Sequence, residues 1–186
     1  MPDLPGDWES ALLVAVPEAE PAVGEHRARL DSSARDGVPA HLTVLYPFLP
    51  PASIDAAVLA SLRRLFAGFA PFGLTLDRVS WFGEDVVWLA PRDDAPVRAL
   101  IGATRIAFPE CPPYGNKYAD VIPHLTIGDR DDAEALRAAA EAVRGHLPVA
   151  TVATEVTLMA GPAPGNLDNP PGQWRTLAMF PFGVRA

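Results

Sequence analysis

At 186 residues and 19.8 kDa the chain is long enough for one domain with a sizeable core, and 49% hydrophobic against 20% charged residues excludes a disordered chain. Lys and Arg total 15 against 23 acidic residues, for a net charge of −8 with Lys117 the single lysine, so a long RNA or DNA partner is disfavoured while a small phosphorylated ligand stays compatible. The lone Cys111 excludes an intrachain disulfide, no apolar run approaches the roughly 20 residues of a membrane-spanning helix, and Met1-Pro2-Asp3 lacks a secretory signal's basic start, so a cytoplasmic, membrane-free protein is expected.

In chain order, residues 8–17 read as a first strand. A helical pattern follows from about Glu18 to Arg35, with Val23 and Leu30 on one side and Glu25, Arg27 and Arg29 on the other. Asp36-Gly37-Val38-Pro39 ends it and feeds a strand carrying His41-Leu42-Thr43. Ser53 or Asp55 is placed to cap a helix running to about Phe69. Phe72 to Phe82 and Asp85 to Ala90 read as a hairpin turning at Gly83-Glu84. A helix from about Pro96 to Ala107 and a loop over 108–120 lead to a second strand of the same kind, carrying His124-Leu125-Thr126. Asp129 to Asp132 cap a helix ending near Gly145, and Val149 to Met159 reads as one long strand. A Gly/Pro-rich loop over 161–172, a lid or a plain connector, precedes a last strand from Gln173 to Phe182.

The pattern β-α-β-α-β-β-α-β-α-β-β, with each triplet strand followed by a helix and more strands, predicts an α+β domain over residues 1–186. Two lobes related by internal duplication are expected, with antiparallel sheets forming a central cleft and helices outside. Side chains alternate along a strand, so each triplet aims its His and Thr to one face and its Leu into the packing. The triplet strands are expected side by side in the cleft, with two imidazoles and two hydroxyls around one pocket.

The two H-x-T triplets, about 80 residues apart on strands with hydrophobic flanks, resemble those of the two-histidine (2H) phosphoesterase superfamily, the LigT-like or 2′-5′ RNA ligase family. The resemblance runs from about residue 10 to 182 and implies activities without cofactor or metal: hydrolysis of 2′,3′-cyclic phosphates and related diesters, RNA 3′-end trimming, and 2′-5′ ligation. In such a reaction one histidine deprotonates water and the other protonates the departing oxygen, while Thr43 and Thr126 donate to the non-bridging oxygens. By resemblance His124 is the base and His41 the acid, an order the residues themselves leave open. The expected substrate is a small cyclic phosphodiester or an RNA 3′ end, acted on by a monomer. The alternatives are a ligase or RNA-end processor, a nucleotide-binding module without catalysis, and an esterase on a non-nucleotide substrate.

Other residues carry weaker signals. Arg175 on the last strand is a candidate phosphate contact. Tyr118, in a loop with Tyr114, Asn116 and Lys117, is a candidate for touching a nucleotide. Trp81, with Phe82 and Trp88, is a candidate for stacking a base, although hairpin packing is the favoured account of these rings. Tyr46 has the wrong parity to join His41 and Thr43 unless a bulge intervenes. His26 fits a solvated helix face and His146 a helix end. Asp120 and Asp129 flank the second triplet, with no metal-ligand spacing to make them a metal site.

Overall fold

A computed structural model describes residues 4–118, 120–129, 132–163 and 170–183. The strands are β1 (Trp8–Ala15), β2 (His41–Leu45), β3 (Phe72–Phe82), β4 (Val86–Pro91), β5 (Leu125–Gly128), β6 (Val149–Ala153), β7 (Glu155–Pro162) and β8 (Arg175–Pro181). The helices are α1 (Glu20–Leu30), α2 (Ser32–Arg35), α3 (Ala56–Ala67), α4 (Ala95–Ala107) and α5 (Ala133–Arg144). The strands form two four-stranded antiparallel sheets, ordered β2-β1-β7-β8 and β5-β4-β3-β6. This is the expected α+β architecture, with each triplet strand at the edge of its own sheet.

The sheets are built alike, with an exchange between them. Each begins with a triplet strand paired to the strand before it in sequence, β2 on β1 and β5 on β4. The strand after α3 then joins the β5 sheet, and β7, after α5, joins the β2 sheet. The helices cross over too, α1 packing on β5 and α4 on β2. Each half therefore needs the other to complete its core.

Two cores follow. Leu12, Val14, Leu45, Leu62, Phe66 and Phe180 fill one beneath the first sheet, with α3 and α4; Val23, Leu42, Leu76, Leu89, Leu125 and Val143 fill the other, with α1 and α5. Full burial of each such side chain contributes about 1.5–3 kcal/mol. Asp55 and Asp132 cap α3 and α5 through the amides of Val58 and Ala135, both at 2.9 Å.

Four expectations change. The helix expected over 18–35 breaks at Asp31, whose side chain accepts the Ser33 amide at 2.9 Å and restarts the chain as α2. Arg27, expected on the polar side of that helix, is 2% exposed. The long strand expected from Val149 to Met159 divides at Thr154 into β6 and β7, which belong to different sheets. The triplet strands lie side by side as expected, as two sheet edges in contact but not paired to one another. Of the loop expected over 161–172, Gly161 and Pro162 belong to β7 and residues 164–169 lie outside the described residues.

Candidate active site

Leu42 and Leu125 are fully buried, and the residues flanking each are only half-buried, so His41, Thr43, His124 and Thr126 turn together toward the cleft. All four line one cavity of about 220 Å³. Its floor is apolar, with Ala11 and Leu13 from β1 and Trp174 ahead of β8.

The two histidines are held identically. His41 Nδ1 lies 2.7 Å from the Pro39 carbonyl, and His124 Nδ1 lies 2.7 Å from the Ile122 carbonyl. A carbonyl only accepts, so Nδ1 carries the proton in both rings and Nε2 is the nitrogen left for proton exchange. Burial, with the Arg27 charge nearby, pushes His41 down to about 4, opposed by the Pro39 carbonyl and Asp31. Burial also holds His124 below its ordinary 6.5, opposed by the Ile122 carbonyl and Asp31. Phe82 and Trp88 wall His124, their ring centroids 4.9 and 5.8 Å from the imidazole.

Behind His41 stands a charged network that the sequence pattern did not reveal. Arg27 Nη2 meets Asp31 Oδ2 at 2.8 Å, and Nε donates to the same oxygen at 2.9 Å. Asp31 also accepts the Ser33 hydroxyl at 2.8 Å, and Arg27 Nη2 reaches the Val38 carbonyl at 3.3 Å. The available signal was Asp31-Ser32-Ser33, a capping pattern inside the expected helix.

Both triplet strands carry a bulge at the same place. Pairing steps from Leu13↔Thr43 to Leu12↔Leu45 in the first sheet, which makes Val44 an extra residue. It steps from Trp88↔Thr126 to Val87↔Gly128 in the second, which makes Ile127 extra. A bulge reverses the alternation beyond it. Tyr46 and Asp129, each five residues after its histidine, therefore line the same cavity. Tyr46 donates its hydroxyl to Glu9, and burial pushes its phenol up.

Tyr114 also lines this cavity, from the 3-10 turn Pro113–Asn116. Its backbone is left-handed (φ 50°, ψ 31°), sparsely populated for a non-glycine residue, and its amide donates to the Tyr46 carbonyl at 2.7 Å. Burial pushes its phenol up, opposed by a hydrogen bond with Thr43. Beyond Tyr114 opens a second cavity of about 440 Å³, lined by Phe82, Val86, Tyr118 and Ile122 and sharing His124 and Thr126 with the first.

The remaining candidates separate. Tyr118, 53% exposed, lies on that second cavity, with Lys117 over its ring at 5.4 Å. Trp81 lies on the opposite face of its sheet: it pairs with Val87 and packs on the core under α5. Strand parity gives the cleft to Phe82 and Trp88 instead. Arg175 is exposed and stacks on Trp8 at 4.6 Å, outside the lining of either cavity. His26 lies beside Arg29, its Nδ1 3.5 Å from the guanidinium, away from both cavities.

The family model described as the 2′-5′ RNA ligase superfamily matches residues 15–162, and the chain belongs to that superfamily. No curated protein matches the chain. Among solved structures it is similar to E. coli LigT in apo form, with a TM-score of 0.57, 20% identity, and 94% of this chain and 97% of that one covered. It is similar to TT0787 of Thermus thermophilus, with a TM-score of 0.63, 18% identity, and 96% and 100% covered. LigT complexed with 3′-AMP aligns with a TM-score of 0.56 and 20% identity over 94% and 97% of the two chains. At these identities the structures share the fold.

Proposed function

We propose that the protein is a phosphoesterase that opens 2′,3′-cyclic phosphates or related small cyclic phosphodiesters by paired histidine acid–base catalysis. The observation that carries this reading is the matched state of the two imidazoles, each with Nδ1 tied to the carbonyl two residues back and each beside a threonine on one cavity. Membership of the 2′-5′ RNA ligase superfamily supports the class. A LigT complex with 3′-AMP supports a small nucleotide as the kind of ligand.

Water attacks phosphorus in line with the departing ribose oxygen. A new P–O bond forms to the water oxygen, and the ring P–O bond breaks. The base takes the water's proton and the acid protonates the departing oxygen, while Thr43 and Thr126 donate to the non-bridging oxygens. The electrostatics favour His41 as the base, because burial and Arg27 keep it neutral. His124, on the aromatic side, then serves as the acid. This is the reverse of the order that resemblance suggested. Tyr114 and Tyr118 are proposed to border the alcohol portion of the substrate in the adjoining cavity.

The test is turnover of a 2′,3′-cyclic nucleotide with EDTA present. Activity that persists in EDTA and falls at least about 10²-fold in both His41→Ala and His124→Ala supports the reading. Tight nucleotide binding without turnover, unaffected by either substitution, would replace it with a binding module.

A further inference from the structure

Among the described residues, three carboxylates border the two cavities: Asp31, Asp120 and Asp129. Asp31 is matched by Arg27 at 2.8 Å, and Asp120 by Arg98 at 2.9 Å. Asp129 is held differently. Its Oδ1 accepts the Ser32 amide at 3.1 Å and its Oδ2 the Ser32 hydroxyl at 2.8 Å, while its own amide donates to the Leu30 carbonyl at 2.8 Å. Among the described residues only neutral donors hold the carboxylate, and they fix it in place without cancelling its charge. The Ile127 bulge sets it on the cleft face at the position where the other half presents the Tyr46 phenol. One half of the site thus offers a neutral hydroxyl and the other a negative charge, beside the chamber proposed above to receive phosphate.

We infer that Asp129 is a specificity-determining residue that restricts the site to singly charged phosphodiesters and disfavours doubly charged phosphomonoesters. The inference rests on the cyclic-phosphodiester reading above. Repulsion between Asp129 and the ligand grows in proportion to the ligand's charge. A cyclic diester carries one negative charge. Opening it with water gives a monoester whose second proton leaves near pH 6, so above that pH the product bears close to two. Above about pH 6 the carboxylate thus weakens product binding more than substrate binding and favours release. It also disfavours substrates with a further phosphate on the His124 side, such as the chain of a longer RNA.

The test is calorimetric binding at pH 8 of two probes, a nucleoside 3′-monophosphate and the corresponding nucleoside 3′-methyl phosphodiester. Asp129→Asn is expected to improve monoester binding relative to diester binding by about fivefold, whereas Asp129→Glu keeps the wild-type ratio. An unchanged ratio in Asp129→Asn, or equal shifts in both variants, would overturn the inference. A second measurement uses the wild type alone. Raising the ionic strength screens the repulsion and is expected to narrow the gap in affinity between the two probes; a widening gap would overturn the inference. Charge discrimination without turnover of any cyclic nucleotide would remove the enzyme reading and leave the role of Asp129 standing.

Discussion

Arg27 sits inside α1 with its guanidinium against Asp31, both 2% exposed, behind the imidazole of His41. Removing one partner of such a pair leaves a buried charge unmatched, so Arg27→Ala is expected to destabilise the fold by about 3–5 kcal/mol in urea unfolding. A loss under about 1 kcal/mol would mean that Asp31 finds other compensation. The same substitution removes a charge that lowers His41, so the acid side of the rate profile should move to higher pH. Arg27 and Asp31 are four residues apart, the spacing of an ordinary surface pair on a helix. The pattern that put Arg27 on the polar face had no means of distinguishing a pair turned inward from one turned out. His41 and His124 were legible because their chemistry and their position on a strand point the same way.

At the scale of elements, the helices followed from 3.6-residue periodicity and from the caps at Asp55 and Asp132, both local signals. The bulges did not, because an extra residue in one strand is defined only against its partner. Tyr46 and Asp129 therefore entered the cleft against the parity of their own strands. The break between β6 and β7 was hidden for a similar reason, since Thr and Val continue through Thr154 while the chain changes sheets. Gly161 shows how closely these elements meet: a Cβ there would lie 2.3 Å from the Trp174 ring, whose Nε1 donates to the Pro162 carbonyl at 2.9 Å. Gly161→Ala is expected to push that ring from the cavity floor at a cost of about 1–3 kcal/mol, read as a lower urea midpoint with an unchanged slope. An unchanged midpoint would show that β7 and Trp174 separate freely.

Across the whole molecule, two similarly built sheets with exchanged strands deliver two nearly identical hands to one cavity. Each hand supplies an imidazole fixed through Nδ1, a neighbouring hydroxyl, and one more side chain turned in by a bulge. The hands differ in their surroundings. Burial and the Arg27 charge press on His41, while aromatic rings flank His124. Under the proposed mechanism, that asymmetry lets two copies of one motif divide a reaction into base and acid. The sequence displayed the likeness of the two hands only in the triplets; the asymmetry arises from residues far apart in the chain. The most direct test is the pH dependence of kcat/KM on a 2′,3′-cyclic nucleotide for the wild type and both histidine variants. The base must be neutral, so activity falls below the His41 value of about 4, and the acid must be protonated, so it falls above the depressed His124 value; the maximum should lie below pH 6.5. His41→Ala should lose the acid-side limb and His124→Ala the alkaline-side limb. Exchanged limbs would reverse the two roles, and a profile that keeps both limbs in either variant would contradict paired histidine catalysis.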